Sequence, residues 1–414
     1  MLKKIILCVV MIMTVLSDCS AEEKYLTVNL SDSVNGFGWK YFDTLDKDKN
    51  IFYSPYSIAT ALTVVANGAE SQTQKEMLQA LSITSLEDIN LFYEKFRSHI
   101  EKNYQGEGRT LMDSNLLLIN KKYTANGINS GYQKIVEDTY KSTVREADFA
   151  GNLEGEKQQI TKWVDEKTNH FMPNYKSIVS AETIMDILNV IYFKGDWEMP
   201  FKPSYTQSEK FTNNDKSVTN VDMMYQGFKN ELKYYEDTKY KAILLPYKRL
   251  NGRIIAAMYL ILPVKSSELN IAEEWSEESA EYQKTFMENI KKAPTFYGKV
   301  YVKLPKFELD IENMIVKNLK AMRIQRAFTN SAEFFQMVNN VPLKIGNVNH
   351  RAKIKVDETG TEAAAVTEVV MLEATAAAPM PEVIKYFYAE RPFLFVIEDF
   401  ESGVNLFTGV VNKM

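Results

Sequence analysis

The sequence of 414 residues predicts an α+β fold, and two observations support this prediction. Helix-like patterns are concentrated in the first half of the chain and strand-like runs in the second. The regular alternation of strand and helix that a parallel α/β sheet needs is missing. No Pro-, Gly- or Ser-rich linker and no internal repeat divides the chain, so we expect residues 22–414 to form a single domain with large antiparallel or mixed sheets.

Three segments predict helices. The segment SPYSIATALTVVA (Ser54 to Ala66) begins with Ser and Pro at positions suited to a helix start and is apolar nearly all round, which indicates a helix inside the core. Glu156 to Phe171 carries apolar residues at the spacing of an amphipathic surface helix. Four later residues repeat that spacing and predict a further helix: Ile311, Ile315, Leu319 and Met322.

Eight apolar or β-branched runs predict strands. The longest, Ile254 to Leu262, ends at Pro263 and is too short for a membrane-spanning helix, so we interpret it as a buried strand. The other seven runs are Ser114 to Ile119, Ile187 to Phe193, Ala242 to Leu245, Val300 to Leu304, Lys353 to Val356, Phe393 to Ile397 and Leu406 to Val411.

The charge pattern argues against polyanionic partners. The formal net charge is -5, and the helix-like segment Leu86 to Lys102 mixes Lys95, Arg97 and Lys102 with acidic residues, as a solvated helix face does. We therefore expect no nucleic-acid partner and no polybasic glycosaminoglycan site.

The first 21 residues are typical of a signal peptide, because Lys3 and Lys4 precede the apolar run Ile5 to Leu16. LSDC, which ends at Cys19, resembles a lipoprotein cleavage box with an atypical Asp, and CSA would equally suit ordinary signal cleavage. We expect a secreted, extracellular protein, anchored at the cell surface if Cys19 carries a lipid. The only other cysteine is Cys8, so the mature chain has no internal disulfide.

Sequence motifs for enzyme chemistry are absent. The chain lacks G-x-S-x-G, H-E-x-x-H, C-x-x-C and the Gly-rich phosphate- and dinucleotide-binding motifs. The three histidines, His99, His170 and His350, have ordinary structural interpretations on predicted helices and a predicted strand. We predict that the protein is not an enzyme and needs no metal or cofactor.

An alanine-rich ribbon, DETGTEAAAVTEVVMLEATAAAPMP, runs from Asp357 to Pro381 between two predicted strands. Its composition alone suits a flexible spacer or a short surface helix. Side chains alternate between the faces of a strand, however, and counting along this ribbon separates two chemically different faces. One face holds small or β-branched residues, Thr361, Ala363, Ala365, Thr367 and Val369, and the other holds Glu362, Ala364, Val366 and Glu368. Such a ribbon could enter a sheet without burying a charge before Glu373.

Several blocks of the sequence resemble serpins. HRAKIKVDETGTEAAAV (His350 to Val366) and FYAERPFLFVIEDFESGVNLFTGVV (Phe387 to Val411) resemble the C-terminal part of that family. The blocks IFYSPYSIATALTVVANGAESQTQKEML, LNVIYFKGDWEMPF, AILLPY and LPKFELD also match, in the expected order, so the resemblance covers about Phe37 to Val411. It implies three β-sheets, about nine helices and an exposed reactive-centre loop at about residues 358–386.

The resemblance also implies a function. It indicates a monomeric suicide-substrate inhibitor whose partner is a serine protease, or a cysteine protease, held as a covalent acyl complex. The family spacing from Glu358 places the cut between Ala374 and Thr375. Because the loop is longer than usual, Glu373 and Thr375 are alternative cut sites. A small residue at the cut suits elastase-like or subtilisin-like targets.

Three groups of control residues are implied by the resemblance. A hinge comprises Glu358, Gly360, Thr361, Glu362, Ala363, Ala364 and Ala365. A breach at the top of the main sheet comprises Trp197, Lys306 and Glu358, and a shutter beneath its centre comprises Ser54, Ser57, Asn189 and His350. Thr359 and Glu390 depart from the common pattern. A non-inhibitory binding, carrier or adhesion protein with the same fold is the alternative, which the absence of Pro from Thr361 to Ala365 disfavours.

Overall fold

A computed structural model describes residues 30–361 and 383–414, which contain nine α-helices. Helix α1 covers residues 30–43. The others are α2 Pro55–Ala66, α3 Ser71–Ala80, α4 Leu86–Asn103, α5 Ser130–Tyr140, α6 Leu153–Lys167, α7 Ile271–Glu277, α8 Ala280–Lys292 and α9 Val316–Ala321.

The strands of the described residues form three sheets. In chain order the strands are β1 Ile51–Tyr53, β2 Gln105–Gly106, β3 Arg109–Asn120, β4 Thr143–Ala147, β5 Met185–Asp196, β6 Gln207–Thr212, β7 Val218–Lys229, β8 Lys233–Glu236, β9 Tyr240–Pro246, β10 Ala256–Pro263, β11 Lys299–Pro305, β12 Phe307–Met314, β13 Asn347–Val356, β14 Gly360–Thr361, β15 Ile384–Tyr388, β16 Phe393–Asp399 and β17 Asn405–Val411. This architecture confirms the predicted α+β class.

The six-stranded sheet, in the order β1-β17-β16-β10-β9-β8, is antiparallel throughout. Its central strands β10, β16 and β17 are buried along their whole length, which explains their near-continuous apolar sequences. The predicted strand Ile254 to Leu262 is therefore confirmed as β10, shifted by one to two residues.

Helix α2 lies inside the core, and all twelve of its residues are buried. Its start follows from the sequence, because Pro55 occupies the first turn and the Ser54 side chain accepts a hydrogen bond from the Ser57 backbone N–H. The prediction of a buried helix from Ser54 to Ala66 is confirmed. The helix packs between β17 of the six-stranded sheet and β5 of the main sheet.

The seven-stranded main sheet has the order β12-β13-β14-β5-β3-β2, with β4 beside β3. Its inner face joins the large core, and its outer face carries a second, smaller cluster beneath α6 that includes Leu188 and Val190 of β5. The remaining sheet has four strands in the order β15-β11-β7-β6.

Two predicted helices differ from the observed ones. Residue Ile311 lies in β12, which pairs with β13, and only the short helix α9 follows it. The helical spacing of Ile311, Ile315, Leu319 and Met322 therefore spans a junction between strand and helix. Helix α6 ends at Lys167 and not at Phe171, because Asn169 and His170 adopt positive φ angles of 49° and 62°.

Candidate functional site

The short strand β14 separates two strands of the main sheet at one end. Thr361 pairs with Val356 of β13 on one side and with Gly195 of β5 on the other. Further along the same seam, residues 347–352 of β13 pair directly with residues 186–191 of β5 in parallel. The sheet is therefore split where β14 enters it and closed below that point.

Only glycine fits at position 360. A Cβ atom built there would lie 2.1 Å from the backbone oxygen of Gly195 and 2.7 Å from the Cα of Asp196. The neighbouring Thr361 is 1% exposed, and its Oγ1 lies 2.8 Å from the hydroxyl oxygen of Tyr247. Both residues are already part of the sheet, so the predicted hinge begins inside the fold and not outside it.

Trp197 covers the point where β14 enters the sheet. Its indole Nε1–H donates a hydrogen bond of 3.1 Å to the backbone oxygen of Asp357, and its backbone N–H donates one of 2.8 Å to the backbone oxygen of Thr359. The indole is 2% exposed and stacks on Tyr247 with ring centroids 4.7 Å apart and planes at 11°. Within this aromatic pair, Trp197 thus holds the backbone that leads into β14, and Tyr247 holds the Thr361 side chain.

Glu358 anchors the same turn. Its carboxylate lies 3.1 Å from Lys306 Nζ and accepts a hydrogen bond of 2.8 Å from Thr206 Oγ1. Burial of this carboxyl group opposes its ionisation, but hydrogen bonds from the backbone, Thr206 and Lys306 outweigh the burial and lower its pKa. Trp197, Lys306 and Glu358, the residues of the predicted breach, therefore lie together at this end of the sheet.

The four residues of the predicted shutter form one buried network beneath the seam. His350 Nδ1–H donates to Asn189 Oδ1 at 2.6 Å, and the Ser54 backbone N–H donates to His350 Nε2 at 3.1 Å. The Asn189 amide in turn donates to Ser57 Oγ at 2.5 Å. Burial lowers the pKa of His350 to about 3, so the imidazole is neutral and bridges β13 to β5 and α2.

The network extends to two residues of β3 that the sequence analysis did not single out. The Ser57 hydroxyl donates to Asp113 Oδ1 at 2.7 Å, and Asn189 Nδ2 donates to Asn115 Oδ1 at 2.7 Å. Burial raises the pKa of Asp113, against the opposing effect of the nearby Arg97 guanidinium at 3.5 Å. Arg97 therefore does not belong to a solvated face as predicted, since its side chain is only 14% exposed.

Thr206 and Tyr247 were also missed, because each becomes relevant only through a contact with a residue more than 100 positions away. The polar run DSN of Asp113 to Asn115, which interrupts the apolar residues of β3, was a signal in the sequence for a buried polar network. The roles of the breach and shutter residues in strand separation remain predictions.

Several predicted features lie outside the described residues. These are the signal peptide at residues 1–21 with Cys19, the hinge residues Glu362, Ala363, Ala364 and Ala365, and the reactive-site residues Ala374 and Thr375. The two ends of the predicted loop at 358–386 are described, and both lie in sheets. Glu358 to Thr361 lead into and form β14, and residues 384–386 belong to β15.

Within residues 30–361 and 383–414, no helix combines the length and the apolar character that crossing a bilayer requires. No cluster of three or more His, Cys, Asp or Glu side chains suited to a metal ion occurs in that part of the chain either.

Comparison with known proteins identifies the family. The family model described as Serpin (serine protease inhibitor) matches residues 32–414. Intracellular coagulation inhibitor 2 of Tachypleus tridentatus is 32% identical, over 93% of this chain and 91% of that protein. Leukocyte elastase inhibitor A of Mus musculus is 29% identical, over 92% of this chain and 98% of that protein. The chain therefore belongs to the serpin family, whose members are generally protease inhibitors and not enzymes.

Solved serpin structures share the fold. The thermophilic serpin tengpin in its native state superposes with a TM-score of 0.80 at 25% identity, covering 94% of each chain. Human thyroxine-binding globulin superposes with a TM-score of 0.79 at 25% identity, covering 94% of this chain and 99% of that one. These matches confirm the serpin fold with its three sheets and nine helices in the described residues.

Proposed function

We propose that this protein inhibits serine proteases by trapping them as acyl-enzymes while its cleaved loop enters the main sheet. One observation carries the proposal: β14 already occupies a strand position between β13 and β5, at the N-terminal end of the alanine-rich ribbon. The ribbon therefore starts in the seam that it would fill. A cysteine protease would be held in the same way through a thioester.

Trapping would begin with ordinary peptide-bond chemistry. The protease serine attacks the carbonyl carbon of the scissile residue, the peptide C–N bond breaks, and the new amino terminus leaves with a proton. The protease then remains joined by an ester to the N-terminal part of the loop. Hydrolysis of that ester would release the protease, so insertion must outrun or prevent it.

The register of β14 fixes where later residues would lie. Six positions beyond Thr361 is Thr367, and six positions back along the partner strands from Gly195 and Val356 are Asn189 and His350. Insertion in the same register would bring the Thr367 hydroxyl between these two side chains. They now bond to each other at 2.6 Å, so the hydroxyl would replace a bond that insertion breaks.

The opposite face of the inserted ribbon would meet charged and apolar groups in turn. Continuing the register places Glu362 between Lys194 and Lys355, which suits a carboxylate. Glu368 would come opposite Leu188, which is fully buried beneath α6. The expectation that no charge is buried before Glu373 is therefore inconsistent with this register, and we infer that α6 moves outward to admit Glu368.

Insertion has a favourable energy balance. It would break the parallel pairing of β13 with β5 and replace it with two antiparallel ladders. At about 1 kcal/mol net for each new hydrogen bond, the gain is on the order of 10 kcal/mol. About fourteen inserted residues, each spanning about 3.3 Å, would carry the attached protease about 45 Å, which is far enough to pull against its catalytic site.

The proposed cut lies between Ala374 and Thr375, and the small Ala374 suits elastase-like or subtilisin-like proteases. The similarity to a relative named leukocyte elastase inhibitor A supports this class of target. Glu373 and Thr375 are the alternative cut sites. We further propose that the protein is secreted, either freely or anchored at the cell surface through a lipid on Cys19.

The proposal is tested by incubating residues 22–414 separately with elastase, subtilisin, trypsin and chymotrypsin. We expect a complex that survives boiling in detergent with the first two proteases. Mass spectrometry should show that the released C-terminal fragment begins at Thr375. Thr361→Arg should convert the inhibitor into a substrate, because Thr361 is buried against Tyr247. Loop cleavage without any trapped protease would contradict inhibition.

A non-inhibitory binding, carrier or adhesion protein is the second candidate. It is favoured by the similarity to human thyroxine-binding globulin, whose structure was solved in complex with thyroxine. In that case the loop would be cut by all accessible proteases, and no covalent band would form with any of them.

A further inference from the structure

One face of the four-stranded sheet carries a row of tyrosines. Tyr301 of β11 pairs directly with Tyr386 of β15, and Lys303 pairs with Tyr225 of β7 and Tyr388 of β15. The intervening residues of these strands are buried in the core, which places the five named side chains on the opposite, outward side. We call this surface, formed by Tyr225, Tyr301, Lys303, Tyr386 and Tyr388, the tyrosine face.

The rings of the tyrosine face are fixed in position because they stack on one another. Tyr301 stacks between Tyr225 and Tyr386, at centroid distances of 5.8 Å to each and interplanar angles of 2° and 13°. A glycine, Gly227, lies opposite Tyr301, and a Cβ atom there would come within 2.9 Å of the Tyr301 ring. The ring thus lies over bare backbone. Rings fixed in this way lose little conformational entropy when a partner binds.

The tyrosine face is exposed and almost neutral. Tyr386 is 50% exposed, and Tyr205 at its edge is 48% exposed. The central Lys303 is paired with Glu209 and, at 2.8 Å, with Glu390. Two further ammonium groups, those of Lys299 and Lys202, lie 4.9 Å and 5.6 Å from the ring centroids of Tyr301 and Tyr205, so the positive and negative charges of the face differ by one. Tyr205, Tyr225, Lys303 and Tyr388 also line a groove of about 420 Å³, which has room for a protruding side chain. Tyrosine-rich surfaces of this kind are typical of the centre of protein interfaces.

The loop leads directly onto this surface. Val383, the first described residue after the loop, accepts a hydrogen bond from the Lys299 backbone N–H at 2.9 Å, and the chain continues into β15. Val383 and Ile384 are themselves 55% and 42% exposed. The proposed cut after Ala374 is eight residues before Val383, so a protease that holds the scissile bond is tethered within about 26 Å of β15, whose Tyr386 and Tyr388 belong to the tyrosine face.

We propose that the tyrosine face is a docking surface for the body of the attacking protease, in addition to the loop that enters its active site. This inference rests on the proposed function and names the surface that selects its partner. The matching surface of the protease would be apolar or rich in backbone carbonyls that accept hydrogen bonds from the tyrosine hydroxyls. Because the face is nearly neutral, association should depend only weakly on salt concentration.

The test compares Tyr386→Ala with the unaltered protein, using the protease that gives the detergent-stable complex. We expect the second-order rate constant of association to fall about tenfold, as when a tyrosine side chain that contributes moderately to binding is removed from an interface. The stoichiometry of inhibition should not change, since Tyr386 takes no part in insertion. Tyr205→Ala is a second variant at the edge of the face. Phe335→Ala is the matched control, because this aromatic residue is 37% exposed close to Glu333, whose carboxylate accepts a hydrogen bond from Thr73 of α3.

An unchanged association rate in both tyrosine variants, or an equal loss in Phe335→Ala, would overturn the docking surface. So would a dimer in sedimentation whose interface covers the face. If no protease is trapped at all, the proposed inhibitory function is wrong. The rate at which the protease cleaves the loop then tests whether the protease docks on the tyrosine face. Slower cleavage of the Tyr386→Ala protein would support docking, and equal cleavage would refute it.

Discussion

Gly360 occupies a position at which any side chain would overlap the backbone of β5, since a Cβ atom would lie 2.1 Å from the Gly195 oxygen. The overlap does not depend on flexible atoms that could move aside. In the inserted form this residue would keep the same neighbours, because insertion extends β14 without shifting it. Gly360 is therefore required both for the present hinge and for the proposed first step of insertion.

We predict that Gly360→Val releases β14 from the seam and turns the protein into a substrate. The fraction of loop cleavage that ends in a detergent-stable complex should fall at least about tenfold, because a steric overlap of this size cannot be relieved within the sheet. Gly36→Ala is the matched control, since a Cβ atom there meets nothing within 4 Å. Full trapping by Gly360→Val would show that the observed pairing of β14 is unnecessary.

His99 illustrates a second effect at the scale of the residue. Its Nε2 lies 2.8 Å from the buried carboxylate of Asp399, which also accepts from the Tyr104 hydroxyl at 2.7 Å. Burial lowers the pKa of His99, but the hydrogen bond and charge of Asp399, with a contribution from Glu401, outweigh burial and the repulsion of Arg253, so the pKa is raised.

This contact predicts a pH dependence of stability. A raised histidine pKa gives stabilisation that is complete below the unfolded value of about 6.5 and is lost as pH rises through the folded value. The difference in melting temperature between the unaltered protein and His99→Gln should therefore be larger at pH 5.5 than at pH 8.5. His170→Gln, which changes an imidazole that is 73% exposed, is the control. A difference that stayed constant between the two pH values would contradict the assignment.

At the scale of the element, the sequence predicted best where burial alone decides the structure. The fully buried helix α2 and strand β10 have apolar sequences that no other placement would satisfy. The end of strand β12 was mistaken for part of a helix because Ile311 lies four residues before Ile315 and so continues the spacing of Leu319 and Met322, although β12 itself alternates apolar and charged residues as a strand does. The two-residue strand β14 could not be predicted, since its pairing is set by β13 and β5 and not by its own residues.

The residues of the candidate site likewise fall into those that the sequence indicated and those that it could not. Family resemblance brought Trp197, Glu358 and His350 to attention, whereas Thr206 and Tyr247 act through contacts that the chain forms only after folding. Without those partners, the sequence could not show that Glu358 is mostly buried or that Thr361 is already held in the sheet.

The proposed register of insertion gives a prediction about one strand. If Thr367 comes to lie between Asn189 and His350, Thr367→Val should leave those buried groups without a partner in the cleaved form only. The loss is about 1–3 kcal/mol, so the melting temperature of cleaved protein should fall by a few degrees while that of intact protein stays the same. Thr367→Ser keeps the hydroxyl and should behave as the unaltered protein. An equal effect in the intact and cleaved forms would refute the register.

At the scale of the whole molecule, the seam between β13 and β5 has fewer backbone hydrogen bonds than it would have with a further strand between them. Below β14, β13 and β5 pair through six residues of each strand, and the shutter network of Ser54, Ser57, Asn189 and His350 reinforces that pairing from inside. A strand placed between them would gain two ladders for the one that it replaces. The native fold is thus stable, but we infer that it is not the most stable arrangement of this chain.

This inference predicts that cutting the loop stabilises the protein. Protein nicked by elastase or subtilisin within the loop should melt about 15 °C above intact protein, because a gain on the order of 10 kcal/mol shifts the midpoint by about 1–2 °C per kcal/mol in a chain of this length. Nicked Thr361→Arg provides the control, since burying a guanidinium beside Tyr247 should block insertion and leave its melting temperature near that of the intact form. Coincident melting curves for intact and nicked protein would mean that the free strand never enters the seam, and trapping by insertion would then have no source of energy.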